Sequence, residues 1–280
     1  MIEIMECQLL ITCCNQDGGL YIANFKDGTH SLKKVLNIEC RGIAKYKDHF
    51  IVVSTNGILI LNENLDVIQT KKLTEMLDLH GIAIYKDQAF IVETTKNSIG
   101  IYDLKKNIDR VDEIKLSPEN HDTCHINDIF IQDDKAYISM FSYIDKSSFL
   151  SKISKNSNTQ GVILEYSLLD KKRVRIMQNN LFQPHSLKIY KEELYYCTSA
   201  KFLVQKNEKI IFKGLGYLRG LDIKNEMIFI GQSESRHVDR LLKEQNNILF
   251  DCGIYIHNMS TKMSSFIHVP SKEIYQILII

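Results

Sequence analysis

An all-β fold, a six-bladed β-propeller with four-stranded blades, is what the sequence predicts, and three observations predict it. Short runs of β-branched and aromatic residues alternate with turn clusters along the whole chain. Six of these runs open alike, with a polar residue followed two places on by an aliphatic one: Arg41-Gly-Ile, His80-Gly-Ile, Asn127-Asp-Ile, His185-Ser-Leu, Arg219-Gly-Leu and Tyr275-Gln-Ile. No long stretch shows capped helical periodicity, and only three prolines interrupt the 280 residues.

The unit that opens at His80 is the clearest. His80–Tyr85, Ala89–Val92, Ile99–Tyr102 and Val111–Lys115 read as four strands joined by polar turns, the composition of a propeller blade. The unit before it matches, with Gly42–Tyr46, Phe50–Val53, Ile58–Leu61 and Val67–Thr70. The intervals after Asn127 and Arg219 exceed what four strands of roughly 5–6 residues need, so they must carry insertions. These fall at about 145–159 and about 235–251; the second holds Arg236, His237, Arg240 and a short helical pattern from Val238. The last opener leaves one strand, Tyr275–Ile280, and Leu9–Thr12, Leu20–Ala23 and Leu32–Val35 supply the other three. The C-terminal strand thus completes the N-terminal blade, which removes sheet edges and makes residues 1–280 one domain.

In such a ring the innermost strands line a central channel, and equivalent positions converge at one mouth. Alternate residues of a strand share a side. The openers and the polar residues two places before them are therefore expected in two stacked layers: Glu39 and Arg41, Asp78 and His80, His125 and Asn127, Gln183 and His185, Tyr217 and Arg219, Glu273 and Tyr275. Ile43, Ile82, Ile129, Leu187, Leu221 and Ile277 follow as an apolar layer beneath. Propeller channels also hold satisfied polar groups that do no chemistry. Three histidines, three acids and two arginines are nonetheless costly to gather unless a ligand uses them.

That set points to a small polar or anionic ligand. His80, His125 and His185 are candidates for proton transfer near neutral pH, with Glu273 or Asp78 to orient a histidine or act as base. Arg41, Arg219 and, from the second insertion, Arg236 are candidates for holding a carboxylate, phosphate or sulfate. Glu39, Asn127, Gln183, Tyr217 and Tyr275 complete the expected substrate contacts. The residues demand no cofactor. His80, His125 and His185 from separate blades would suit a divalent ion, Zn²⁺, Mn²⁺ or Mg²⁺, but histidines spread along a sequence are not a metal signature. Both insertions follow the second strand of their blades, on the face of the mouth, where they would form a lid.

Composition excludes other classes. Net charge is +1, hydrophobic residues are 44% and charged residues 25%, ordinary for a globular chain and without a field for nucleic acid or membrane. No apolar run approaches ~18 residues and no leader pattern is seen, so a cytoplasmic location is expected. The seven scattered cysteines include no C-x-x-C pair and read as reduced, mostly buried thiols; Cys124 is singled out because it adjoins His125. Phosphate-cradling glycine motifs and the Trp-Asp signatures of interaction scaffolds are absent.

Cys124-His-Ile-Asn127, Pro184-His-Ser186, Arg219-Gly-Leu221, Phe229 to Arg236, Cys252-Gly-Ile-Tyr255 and Glu273-Ile-Tyr275 occur in an order that resembles an uncharacterised bacterial family of propeller-like proteins, with Asp78-Leu-His80 a weaker match upstream. Asp128 and Gln232 stand where that family carries Gly and Leu, and His237 stands where it carries an acid. The resemblance implies a polar central site and, because members occur near genes for surface polysaccharides, a carbohydrate-related ligand. A more distant likeness to six-bladed lyases of the streptogramin-cleaving type implies a His–acid pair at work. Two readings stay open: a lyase, epimerase or hydrolase, and a non-catalytic propeller that binds a sugar, nucleotide-sugar or other anionic ligand.

Overall fold

Six antiparallel sheets, each of four strands, follow one another around a ring in the computed structural model, which describes residues 6–15, 17–26, 29–143, 161–234 and 247–280. Strands β1 (Cys7–Cys13), β2 (Gly19–Lys26) and β3 (Thr29–Leu36) belong to blade 1. Blade 2 holds β4 (Ile43–Tyr46), β5 (His49–Ser54), β6 (Gly57–Leu61) and β7 (Val67–Lys72). Blade 3 holds β8 (Leu79–Tyr85), β9 (Gln88–Glu93), β10 (Ser98–Asp103) and β11 (Asp109–Lys115). Blade 4 holds β12 (Ile126–Gln132), β13 (Lys135–Met140), β14 (Gly161–Ser167) and β15 (Lys172–Leu181). Blade 5 holds β16 (Pro184–Tyr190), β17 (Glu193–Thr198), β18 (Leu203–Lys206) and β19 (Lys209–Lys213). Blade 6 holds β20 (Tyr217–Lys224), β21 (Met227–Ser233), β22 (Gly253–Asn258) and β23 (Ser264–His268). The last strand, β24 (Ile274–Ile279), returns to blade 1 and pairs antiparallel with β1, Ile11 opposite Ile277. The ring therefore closes as the sequence predicts.

The apolar core is divided among the blade junctions. Six clusters of buried residues each join two neighbouring blades. Phe25 of blade 1 meets Phe229 of blade 6, and Ile91 of blade 3 meets Ile51 of blade 2. Each blade is apolar on both faces, so each can bury itself only between two others. All seven cysteines are buried free thiols. Cys124 is among them, packed in the cluster between blades 3 and 4.

Near the axis a hydrogen bond crosses every junction. Gly42 N–H donates to His80 O at 3.2 Å between blades 2 and 3, and Thr94 Oγ1 donates to Ile126 O at 2.8 Å between blades 3 and 4. Asp128 accepts from Leu187 N (3.1 Å), Ser186 Oγ from Gly220 N (2.7 Å), Asp222 from Ile279 N (2.9 Å) and Gln276 Oε1 from Ile43 N (2.8 Å), which completes the circle. Asp128 is explained by this role. Its carboxylate spans a junction and also lies against Gly81, where a Cβ would come within 2.5 Å of Oδ1. Burial pushes its pKa up to about 6, against the pull of the backbone N–H groups it accepts from. Gln232 is likewise fully used: it accepts from Leu215 N and Tyr255 Oη and donates to Asp251 O.

Ile43, Ile82, Ile129, Leu187, Leu221 and Ile277 are all buried and line a channel cavity of about 290 Å³. The same cavity is also walled by Asp128, Ser186, Lys188, Asp222 and Gln276. The channel beneath the mouth is thus not wholly apolar, because the residues that clasp the blades face into it. No helix among the described residues is long and apolar enough to cross a membrane.

Candidate functional site

The mouth is built from one local device repeated in successive blades. Asp78, His125 and Gln183 adopt left-handed backbone conformations, with φ of 49°, 46° and 52°. Each such residue costs roughly 1–2 kcal/mol and turns its carbonyl back over the chain. The side chain two places on meets that carbonyl: His80 Nδ1 at 2.9 Å from Asp78 O, Asn127 Nδ2 at 2.9 Å from His125 O, and His185 Nδ1 at 3.0 Å from Gln183 O. This corrects the expectation of two layers stacked by strand alternation. Of the residues preceding the openers only Tyr217 lies inside its inner strand; the other five come before it. The two expected layers fold into one crowded rim.

Hydroxyl groups fix the histidines. Thr94 and Ser199 follow His80 and His185 at the same chain spacing. Each gives its proton to the next blade, Thr94 to Ile126 O and Ser199 to Leu218 O, at 2.8 and 2.6 Å. Each Oγ also lies 2.6 or 2.8 Å from the histidine Nδ1. With a carbonyl and a committed hydroxyl beside it, Nδ1 must carry the hydrogen. Arg41 Nη1 is no rival donor to His80, because its hydrogens go to Asp78 Oδ1 (2.6 Å) and Leu79 O (2.9 Å). The basic lone pair of both rings is therefore on Nε2. Burial, then the nearby arginines, hold both histidines well below their ordinary pKa, so both are neutral at pH 7.

His125 is held differently. Asp122 lies 2.6 Å from its Nδ1 and accepts its backbone N–H at 2.7 Å. Burial works to raise the Asp122 pKa, but the hydrogen bond and charge of His125 outweigh it and hold it low. His125 is 37% exposed, far more than His80 or His185.

Rings and one guanidinium close a circuit around the mouth. Tyr275 lies 5.7 Å from His80, His80 5.7 Å from His125, His125 4.7 Å from Phe141, Phe141 5.1 Å from His185 and His185 5.8 Å from Tyr217, centroid to centroid. Arg219 completes it, 5.2 Å from the Tyr217 ring and 5.6 Å from the Tyr275 ring. The three predicted histidines, both tyrosines and Arg219 are thus brought together.

The arginines are already paired. Arg41 meets Glu39 at 3.1 Å and Asp78 at 2.6 Å, and Glu39 also accepts from Thr55. Burial opposes the Arg41 charge, yet Asp78 and Glu39 hold its pKa above the ordinary value. Arg219 pairs with Glu273, which also accepts from Asn15 Nδ2. Gln183 accepts from Tyr217 Oη, and Tyr275 Oη donates to Asn127 O at 2.9 Å. Arg236 and most of both expected insertions lie outside the described residues.

Three buried polar atoms at the mouth have no partner: Asn127 Oδ1, His185 Nε2 and Arg219 Nε. They belong to the equivalent opener positions of blades 4, 5 and 6, side by side. Buried polar atoms are nearly always satisfied, so three adjacent exceptions mark the place where a ligand would supply partners. Two are acceptors and one is a donor. Among the described residues, no three His, Cys, Asp or Glu side chains are arranged to hold a metal ion.

Sequence reasoning missed Asp122, Phe141, Thr94 and Ser199. A signal for the last three was present: Thr55, Thr94, Phe141, Ser199 and Ser233 follow their openers at one constant spacing. For Asp122 the only hint was the short Asp-x-x-His spacing.

Residues 5–280 match the family described as a domain of unknown function, DUF4915. No curated protein matches the chain. Among solved structures, a chain of a nidogen/laminin complex is similar with a TM-score of 0.67 at 12% identity, covering 98% of each chain. A putative 6-phosphogluconolactonase from Bacteroides fragilis gives 0.63 at 10% identity, covering 100% of this chain and 99% of that one. Virginiamycin B lyase from Staphylococcus aureus gives 0.51 at 12% identity, covering 83% and 70%. A nidogen/laminin complex and enzyme-named proteins alike share the architecture, so these likenesses show the fold alone.

Proposed function

The chain belongs to the DUF4915 family, and on that premise we propose that it is an enzyme of lyase, epimerase or hydrolase type acting on a small polar, carbohydrate-related substrate in the channel mouth. The observation that carries the reading is the row of unpartnered atoms on Asn127, His185 and Arg219 beside the Asp122–His125 pair. Asn127 Oδ1 and His185 Nε2 would accept from substrate hydroxyls, and Arg219 Nε would donate to a substrate oxygen. Asp122 takes the Nδ1 hydrogen of His125, which leaves Nε2 as its basic nitrogen. His125 is therefore the group suited to move a proton, and Asp122 the one that orients it. Phe141, between His125 and His185, would offer a flat wall for a sugar ring. The enzyme-named propellers with this fold support the general class only.

The second reading, a non-catalytic binder, is favoured by one observation. His80 and His185 are buried with Nδ1 fixed between a carbonyl and a hydroxyl, a setting that suits a fixed hydrogen-bond acceptor better than a group exchanging protons. Screening sugars for thermal stabilisation and assaying each binder for product separates the two. The enzyme reading expects conversion by wild type, and His125→Gln to lower turnover by about 10²–10⁴ while binding persists. Binding with no conversion across neutral, cationic and anionic sugars would favour the binder. Undiminished turnover in His125→Gln would remove the pair from the mechanism.

A further inference from the structure

We propose that the mouth takes a hydrogen-bond-donating ligand without negative charge, presenting either the hydroxyls of a neutral sugar or the ammonium of an amino sugar, and that it rejects carboxylates, phosphates and sulfates. The inference rests on the reading that the mouth is the ligand site.

Charge is the first argument. Four carboxylates stand at the described rim, Glu39, Asp78, Asp122 and Glu273, against two guanidinium groups, Arg41 and Arg219. His80 and His185 add no charge, since burial keeps both neutral. Even a protonated His125 leaves the carboxylates in excess. Arg41 is the less available arginine, spent on Glu39, Asp78 and the Leu79 carbonyl. Arg219 leaves Nε buried and unpartnered, and Glu273 sits on its Nη1. An incoming anion would therefore meet a guanidinium already neutralised and a second layer of negative charge. Glu273 is buried, so salt screens its repulsion poorly.

Hydrogen-bond polarity is the second argument, and it is independent of the first. Asn127 Oδ1 and the lone pair of His185 Nε2 both accept. A carboxylate or phosphate oxygen offers only further lone pairs and would leave both unsatisfied. A hydroxyl donates to either and can accept from Arg219 Nε in the same pose. An ammonium donates to both and gains from the Phe141 ring, since Arg219 already lies over Tyr217 and Tyr275. The aromatic circuit suits the apolar face of a sugar ring or a cation, and suits an anion least.

The test is a thermal-shift and calorimetric panel at fixed ionic strength, with hexoses, hexosamines, hexuronates and hexose phosphates as probes. Wild type, His185→Phe, Arg219→Gln and Glu273→Gln are compared. The expected result is binding of a hexose or hexosamine by wild type, lost in His185→Phe, with no binding of hexuronates or phosphates. Glu273→Gln releases Arg219 and is expected to bind hexuronate at least about tenfold more tightly than wild type; should it fail to fold, Glu273→Met makes the same test at Arg219. Which of hexose and hexosamine binds distinguishes the two sources of donors. Wild-type binding of a hexuronate or phosphate that disappears in Arg219→Gln would overturn the charge inference and leave the site reading standing. Failure of the released arginine to gain any anion affinity would also overturn it. Binding that survives in His185→Phe, or no binding by any class of probe, would overturn the site reading and this inference with it.

Discussion

The two halves of the mouth use equivalent positions for opposite ends. In blades 1 to 3, Tyr275 gives its hydroxyl to Asn127 O, Arg41 is surrounded by Glu39, Asp78 and Leu79 O, and His80 is fixed by Asp78 O and Thr94. In blades 4 to 6, Asn127, His185 and Arg219 each keep one buried atom unpartnered. Among the described residues, the opener side chains of the first half leave no fully buried atom unpartnered, and Asn56 Oδ1, behind them in blade 2, is the exception in that half. The second half is the one that a ligand would finish. A polar ring is not in itself a site; among the opener side chains, the unmet hydrogen bonds gather on one side.

Mutations test this division from both sides. The largest effect on stability is expected in the first half, at Arg41→Met. It strips Glu39 and Asp78 of their shared cation and should cost about 2–3 kcal/mol, at or below the low end of the ~3–5 kcal/mol for breaking a buried pair because both acids are partly exposed; the urea midpoint reads it. In the open half, His185→Phe removes the unpartnered Nε2 but also the Nδ1 bond to Gln183 O, and should cost about 1–2 kcal/mol. The same variant should lose the ligand. A large loss of stability there, or a small one at Arg41, would reverse the assignment of the halves.

Acid sharpens the comparison. His80 and His185 have folded-state pKa values below the unfolded value of about 6.5, so below that pH the unfolded chain binds protons that the folded chain refuses. Stability is full above about pH 6.5 and falls as pH drops, by up to about 1.4 kcal/mol per pH unit for each histidine. Asp128 acts in the opposite sense: its raised pKa of about 6 adds stability as pH falls from about 6 toward about 4. The difference between wild type and His185→Gln cancels that term and should shrink as pH falls from 7 to 5. A constant difference would mean that His185 titrates normally. The smallest effect is expected at Ser199→Ala, which removes the bond to Leu218 O and should cost about 1 kcal/mol. Gln183 O still accepts from Nδ1, so the His185 tautomer and the pattern of its imidazole nitrogen NMR shifts should persist.

Much of this was legible in the chain. The runs around His80 and Arg41 gave the strands, and the single strand left after Tyr275 gave the closure with Leu9–Thr12. The convergence of His80, His125, His185, Tyr217, Arg219 and Tyr275 followed from their equivalent positions. What strand periodicity cannot show is the left-handed turn at Asp78, His125 and Gln183, which precedes the strand and folds two layers into one. That turn is why Arg41 is paired with Asp78 rather than left for an anion. Phe141 was hidden because it takes, in blade 4, the position that carries a hydroxyl in blades 2, 3, 5 and 6. Asp122 sits on a loop that no repeat constrains.

Whether blades 4 to 6 hold the ligand is read most simply from a crystal structure of the protein soaked with whichever hexose or hexosamine raises its melting temperature most. Ligand donors are expected within hydrogen-bond distance of both Asn127 Oδ1 and His185 Nε2, with an oxygen facing Arg219 Nε. A ligand seated against Arg41 and His80, or away from the mouth altogether, would contradict this placement.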